Sequence, residues 1–185
     1  MTKIKVIIVE DEFVISEDIR IRLELSGYEV IAKYERAEEA LSAVLEKQPD
    51  ILLVDIKLAG SMDGISLVKN VQNTLSIPIV YITANSDSAT YARARDTRPH
   101  AFLVKPFSLP NLLTAVDLAL HHFTNNTTPE NIERTTASEY SDEPFHVNGS
   151  LFVRAGGKYK KISCDDILFV EAAGRYIHLQ SRQER

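Results

Sequence analysis

A regular alternation of short apolar runs with amphipathic segments over residues 1–122 is the feature that most constrains the fold. Continuous apolar runs such as Lys5–Val9 (KVIIV) are typical of strands covered on both faces. Segments such as 15–25 place apolar residues at helical spacing with charged residues between them. Strands are therefore predicted over 5–9, 30–32, 51–54, 79–82 and 101–104, and helices over 15–25, 37–46, 65–71, 89–95 and 109–122.

Five strands that alternate with five helices predict an α/β fold, with right-handed crossovers and a parallel sheet covered on both faces. Of the two common doubly wound arrangements, five strands favour the flavodoxin-like order 2-1-3-4-5. Ligands of such sheets bind at the carboxyl ends of the strands, near the point where the strand order reverses. The residues directly after each strand are therefore the first candidates for a functional site.

The alternation ends near residue 122, and the rest of the chain differs in character. Residues 123–143 (FTNNTTPENIERTTASEYSDE) are polar and acidic with little periodicity, which predicts a flexible linker. Residues 144–185 contain four short strand-like runs, at 151–154, 159–162, 167–171 and 176–180, and form an incomplete β-rich segment. This last segment carries seven Lys and Arg against four Asp and Glu. It is therefore the only part of the chain whose net charge would suit nucleic acid.

Composition narrows the class of protein. The single cysteine, Cys164, excludes an internal disulfide and a thiolate metal cluster, which suits a reducing compartment. No apolar run is long enough to cross a bilayer, and the first residues lack the features of a signal peptide. We therefore expect a cytoplasmic protein without a membrane partner.

Polar residues with compatible chemistry follow three of the predicted strands. Glu10 and Asp11 follow the first strand, Asp55 ends the third, and Lys105 ends the fifth. The order 2-1-3-4-5 brings the three carboxylates together, where they would repel one another unless a cation or a shared proton relieves them. Mg²⁺ is the natural partner, since it binds carboxylates together with phosphate oxygens. Such a site suits an aspartyl phosphate on Asp55, although each acid taken alone is more often a loop or capping residue.

Two further residues complete this constellation. Lys105 would neutralise charge on the transferring phosphoryl group. Thr83, which ends the fourth strand, would donate a hydroxyl hydrogen bond to a phosphate oxygen. The conjunction of these residues favours a phosphoacceptor site, but their chemistry alone does not decide it.

The segments IIVEDE, LLVDIKL, MDGISL, VYITA and FLVKPF, in this order, resemble the receiver domain of two-component response regulators. The resemblance covers residues 1–122 and implies Asp55 as phosphoacceptor, with Lys105 and Thr83 beside the phosphoryl group. It further implies Asp11 as a direct Mg²⁺ ligand, Glu10 as a ligand through water, and the backbone carbonyl of Lys57 as a third contributor. The family also has a cis peptide before the proline, here between Lys105 and Pro106.

The resemblance implies a switch and its partners. Thr83 would move towards the phosphoryl group and the aromatic ring of Phe102 would turn inwards, a ring that is Tyr in many relatives. Departures from the family pattern are this Phe and the loop Leu58-Ala59-Gly60-Ser61, which is one residue longer than the commonest form. The implied partners are a sensor histidine kinase and, after phosphorylation, a second copy of the chain. The protein would be a signalling protein and not an enzyme.

Two rival classes are less compatible with these residues. A haloacid-dehalogenase-like phosphatase also forms an aspartyl phosphate, but its D-x-D pattern requires an acid where this chain has Lys57. A nucleotide-binding module would need a glycine-rich phosphate loop, and neither G-x-G-x-x-G nor G-x-x-x-x-G-K-[ST] occurs.

Residues 146–180, with the core FVRAGGKYKKI and DDILFVEAAGRYIHL, resemble the beginning of a LytTR-type DNA-binding domain. The resemblance implies transcription regulation by a dimer on DNA. A complete domain of this type has roughly a hundred residues, and the segment 144–185 is expected to be a truncated one. Candidate phosphate contacts are basic residues that could equally form a solvated strand face: Lys158, Lys160, Lys161 and Arg175. The alternative is a receiver that acts through protein contacts alone.

Overall fold

The computed structural model describes residues 2–84, 88–124, 145–147, 150–155, 158–173 and 176–182. The chain divides into two compact units, one formed by Ile4–Glu139 and the other by Met1–Lys3 with Tyr140–Arg185. The first unit contains the parallel sheet and its helices, and the second contains the short strands near the C-terminus.

The first unit contains a five-stranded sheet in the order β2-β1-β3-β4-β5. All four neighbouring pairs are parallel, which confirms the predicted flavodoxin-like doubly wound fold. The strands are β1 Lys5–Val9, β2 Glu29–Tyr34, β3 Ile51–Asp55, β4 Ile79–Ala84 and β5 Ala101–Lys105. β2 is longer than its apolar run because the polar or aromatic residues Glu29, Lys33 and Tyr34 continue it at the sheet edge.

Five helices connect and follow these strands, and each begins and ends within two residues of its predicted bounds. Gly27 lies just after the first helix with φ +96°, which explains why a glycine ends it. Ser108 caps the last helix, because its Oγ accepts a hydrogen bond from the amide of Asn111 at 3.3 Å. The helices are α1 Phe13–Leu25, α2 Ala37–Lys47, α3 Gly64–Gln72, α4 Ser88–Arg95 and α5 Leu109–Thr124.

The central strands form the core of this unit. Val6–Val9 of β1 and all of β3 are buried, since helices cover both faces of the sheet. This burial explains why these strands read as continuous apolar runs instead of alternating ones. Polar side chains are thereby confined to the strand ends, where the candidate site lies.

The second unit is antiparallel. One sheet has the order β6-β7-β8 and another pairs β9 with β10. All four predicted strands are present, whereas β6 was not predicted because three residues carry too short a pattern. The side chains of Phe152 and Ile162 are buried. The strands are β6 Phe145–Val147, β7 Ser150–Ala155, β8 Lys158–Ser163, β9 Ile167–Ala173 and β10 Tyr176–Ser181.

The predicted linker over 123–143 overlaps the last two residues of α5, and its remainder lies outside the described residues. No helix in the described part of the chain has the length and apolar character needed to cross a membrane.

Candidate functional site

The site lies at the carboxyl edge of the sheet. β1 and β3 are neighbours in register, with Val9 opposite Val54, so the residues that follow them come together. β4 continues the sheet with Ile82 opposite Asp55. This register explains how Glu10 and Asp55, which are 45 positions apart in the printed sequence, reach the same edge.

Lys105 joins the acidic residues from the end of β5. Its Nζ donates to Asp55 Oδ2 at 2.6 Å, to Glu10 Oε1 at 2.8 Å and to Glu12 Oε1 at 3.3 Å. Burial alone would lower the pKa of Lys105, but the hydrogen bonds to Asp55 and Glu10 outweigh burial and raise that pKa above its usual value. Lys105 therefore keeps its charge and holds the carboxylates together.

The carboxylate of Asp55 is buried and fixed on both sides. Its Oδ1 accepts a hydrogen bond from the backbone amide of Lys57 at 2.9 Å, while Oδ2 accepts from Lys105. The peptide between Lys105 and Pro106 is cis, as expected. Asp55 thus presents its two oxygen atoms in a defined orientation at the sheet edge.

Glu10, Asp11 and Asp55 each place one carboxylate oxygen within 4.8 Å of the other two. Glu10 is fully buried, and none of the described residues hydrogen-bonds its Oε2. Burial raises the pKa of Glu10 to about 7, with a further contribution from the nearby charge of Asp55 and with Lys105 opposing. Asp11 Oδ2 accepts only one described hydrogen bond, from the amide of Ala59 at 3.2 Å.

These observations fit a hard divalent cation. Lys105 brings one positive charge to three clustered carboxyl groups, and the raised pKa of Glu10 reflects how unfavourable a further negative charge is there. A buried carboxylate oxygen without a partner is also costly. Mg²⁺ takes oxygen ligands, and one or two carboxylates with waters suffice to hold it. The donor set at this edge therefore fits Mg²⁺.

Thr83 lies at the end of β4, next to this cluster in the sheet, and its side chain is buried. β4 is the neighbour of β3 on one side and of β5 on the other, so Thr83 lies between the strands that carry Asp55 and Lys105. All the strand-end residues predicted from the sequence thus lie at one edge.

Comparison with known proteins decides the family. Residues 6–117 match the response regulator receiver domain family. The chain belongs to this family. It is 36% identical over 135 residues to the transcriptional regulatory protein PdtaR of Mycobacterium tuberculosis (strain ATCC 25618 / H37Rv), covering 73% of this chain and 65% of PdtaR. It is 35% identical over 101 residues to the DNA-binding transcriptional regulator NtrC of Salmonella typhimurium, covering 54% of this chain and 21% of NtrC.

Solved receivers share the fold. The signal receiver domain of a modulated diguanylate cyclase from Desulfovibrio desulfuricans G20 matches with a TM-score of 0.63 and 34% identity, over 66% of this chain and 97% of that domain. The chain is therefore a two-component receiver homologous to transcriptional regulators, and a signalling protein in its class. It spans less than two thirds of the length of PdtaR and about a fifth of NtrC.

The receiver's predicted switch aromatic, Phe102, is half-buried between two tyrosine rings. Its centroid lies 5.7 Å from that of Tyr81, its partner on β4, and 4.9 Å from that of Tyr91 on α4. The Tyr81 hydroxyl shares a hydrogen bond with Thr97 Oγ1 at 3.0 Å. The two tyrosines were not predicted as part of this switch, although the register of β4 and β5 pairs Tyr81 with Phe102.

Other residues of the receiver contribute to the site without having been predicted. Glu12 belongs to the IIVEDE motif and contacts Lys105, so its signal was present in the sequence. Glu38 of α2 contacts the loop after β3, and Gly64 packs against the backbone of Asp55. Nothing in the local sequence around Glu38 indicates that contact.

The candidate DNA contacts fall in the second unit. Lys158, Lys160 and Lys161 lie on β8, where Lys160 is exposed and Lys161 half-buried. Arg175 lies outside the described residues. Their role in DNA binding stays a prediction.

Proposed function

We propose that Asp55 accepts a phosphoryl group from a sensor histidine kinase, with Mg²⁺ held by Asp11, Asp55, Glu10 and the carbonyl of Lys57. The observation that carries this proposal is the buried cluster in which Lys105 bridges Asp55 and Glu10, while Glu10 Oε2 has no hydrogen-bond partner among the described residues. Surplus negative charge of this kind is best explained by a cation that the site is built to hold.

The chemistry follows from the positions of the protein's own groups. A carboxylate oxygen of Asp55 forms a bond to phosphorus as the bond between phosphorus and the histidine nitrogen breaks, leaving the electron pair on that nitrogen. Lys105 lies within hydrogen-bond distance of Asp55 and stabilises the charge on the transferring oxygens. When bound, Mg²⁺ adds positive charge beside those oxygens. Thr83 then donates its hydroxyl to the new phosphoryl group.

The phosphoryl group would shift the receiver between two states. It adds roughly −1.5 to −2 of charge next to Lys105 and Thr83. Movement of Thr83 would open space at β4 for Phe102, which already contacts Tyr91 on α4. The face of α4, β5 and α5 would change shape, and we propose that it then binds a second copy of the chain.

Removal of the divalent cation tests this proposal. The full chain, incubated with a small phosphodonor such as phosphoramidate and Mg²⁺, is expected to gain one phosphoryl group that hydroxylamine removes, as an acyl phosphate requires. Addition of EDTA is expected to reduce incorporation to background, because Lys105 alone leaves the carboxylates repelling the donor. Intact-mass spectrometry measures both. Incorporation that persists in EDTA would argue against the metal site.

We propose the following organisation for the output. Residues 1–122 form the receiver, 123–143 a linker, and 144–185 part of a LytTR-like DNA-binding domain that phosphorylation controls. The antiparallel β-strands and the basic residues on β8 support this assignment. Homology to transcriptional regulators such as PdtaR supports a role in transcription. The alternative output is protein contact alone.

Binding to duplex DNA across a salt series separates these outputs. If the second unit binds DNA, affinity is expected to fall steeply with salt and to rise with a beryllofluoride phosphate mimic. Replacement of Lys160 with Ala is expected to reduce the salt slope by about one unit, because one phosphate contact is lost. Replacement of Lys69, an exposed lysine of α3, serves as the matched control. Absence of sequence-selective binding would favour the protein-contact alternative.

A further inference from the structure

Glu38, in the first turn of α2, contacts the loop between β3 and α3. Its Oε1 accepts three hydrogen bonds, from the amide of Ser61 at 2.8 Å, the hydroxyl of Ser61 at 2.5 Å and the amide of Met62 at 3.0 Å. The hydroxyl of Ser61 and then the backbone amides lower the pKa of Glu38 to about 2. Glu38 is therefore ionised under all physiological conditions, and its hydrogen bonds are charge-assisted.

The two ends of this loop are fixed by other contacts. At its start, the amide of Lys57 donates to Asp55. At its end, the amide of Gly64 donates to the carbonyl of Ile56 at 3.1 Å, and Asp63 caps α3 through the amide of Ser66 at 2.8 Å. The positions of both loop ends are therefore fixed by contacts with β3 and α3, and they do not depend on α2.

The exposed middle of the loop is held by hydrogen bonds to Asp11 and Glu38 and not by packing. Ala59, Gly60 and Ser61 are all exposed, so packing does not fix them. Gly60 adopts φ +128°, and an added Cβ would lie 3.1 Å from both carboxylate oxygens of Glu38. Glycine thus allows the chain to pass close to Glu38 and to turn the next two amides towards it. Glu38 is the contact that holds this segment against α2.

The same segment reaches the acidic cluster. The amide of Ala59 donates to Asp11 Oδ2 at 3.2 Å, two residues before the part of the loop that Glu38 binds. Asp11 follows β1 and is half-buried, so the loop is its described hydrogen-bonding neighbour. The position of Ala59, and through it the orientation of the Asp11 carboxylate, depends on how the loop is held.

We propose that Glu38 is a positioning residue that orients Asp11 for Mg²⁺ by holding Ser61 and Met62. This inference rests on the metal site of the proposed function and adds to it a residue on a different helix. Removal of residues that hold metal ligands in position, without binding the metal themselves, commonly lowers metal affinity about 10-fold to 100-fold.

Three variants of the full chain separate the contributions of Glu38. Glu38→Ala removes all three hydrogen bonds. Glu38→Gln keeps an acceptor oxygen of the same reach but loses the charge. Glu39→Ala removes an equally negative, exposed residue of the same helical turn and controls for general electrostatics.

Two measurements are made on each variant. Amide hydrogen exchange of residues 59–62 in the metal-free protein reports whether the loop is held. A Mg²⁺ titration followed by NMR reports affinity. We expect Glu38→Ala to speed exchange at Ser61 and Met62 and to weaken Mg²⁺ binding about tenfold. The exchange rates and the Mg²⁺ affinity of Glu38→Gln are expected to lie between those of Glu38→Ala and the parent chain. Both quantities should be unchanged in Glu39→Ala.

The outcomes distinguish this proposal from the one on which it rests. Faster exchange in Glu38→Ala with unchanged Mg²⁺ affinity would overturn it, because Glu38 would then only stabilise the loop. An equal loss of Mg²⁺ affinity in Glu39→Ala would overturn it as well. The loss would then come from removing a negative charge from α2 and not from losing the hydrogen bonds of Glu38. If the parent chain binds no Mg²⁺, or binds it equally well after Asp11→Asn, the proposed metal site itself is wrong and both proposals are overturned.

Discussion

Replacement of Asp55 with Asn is expected to abolish incorporation of phosphate while leaving the fold intact. The amide of Asn is not a nucleophile towards phosphorus at neutral pH, and no described group of the cluster other than the carboxylates could replace it. The fold should tolerate the change because Asn retains an oxygen that can accept from the amide of Lys57. Lys105 would still donate to Glu10 and Glu12.

The measurement is labelling by a small phosphodonor with Mg²⁺, followed by peptide mapping. We expect labelling of Asp55→Asn at background and a circular dichroism spectrum that matches the parent chain. Asp18→Asn, which changes a half-exposed carboxylate of α1 paired with Arg22, is the control and should be labelled normally. Undiminished labelling of Asp55→Asn would refute Asp55 as the acceptor, and a peptide map would then identify the true site.

The strand order and the residues at the strand ends could be predicted because their signals are local and periodic. β1 and β3 are buried on both faces, so their apolar runs stand out; β1 is followed directly by an acidic residue and β3 ends in one. The rules for parallel sheets then place those ends side by side without any knowledge of side-chain contacts. Glu10, Asp55 and Lys105 were therefore predicted to lie together, as the structure places them.

The contacts of Glu38, Tyr81 and Tyr91 could not be predicted in the same way. Glu38 meets Ser61 only because α2 and the loop after β3 lie on the same side of the sheet, and a surface glutamate in a first helical turn carries no signal of a distant partner. Tyr91 is half-exposed on α4 and resembles any surface tyrosine in sequence. Such contacts depend on how two elements pack, which periodicity does not determine.

Gly64 shows how tightly the helix after the loop is packed against the acceptor strand. Gly64 is the first residue of α3, and an added Cβ would lie 1.9 Å from the carbonyl oxygen of Asp55 and 2.8 Å from Val54 Cγ1. Both belong to the buried central strand, so neither can move without displacing the sheet. The side chain of alanine can therefore be accommodated only if α3 moves away from β3.

We expect Gly64→Ala to lower the free energy of unfolding of the receiver by about 3 kcal/mol or more, since overpacking against rigid backbone belongs among the most destabilising substitutions. Gly27→Ala is the matched control. Gly27 has φ +96° and nothing within 4 Å of an added Cβ, so only conformational strain of about 1–2 kcal/mol applies. Urea unfolding followed at 222 nm compares the two, because the described helices α1 to α5 all belong to the receiver unit. An equal loss in the free energy of unfolding for both variants would show that α3 moves to accommodate the added methyl group. In that case the close approach of Gly64 to Asp55 would not be a rigid constraint on the site.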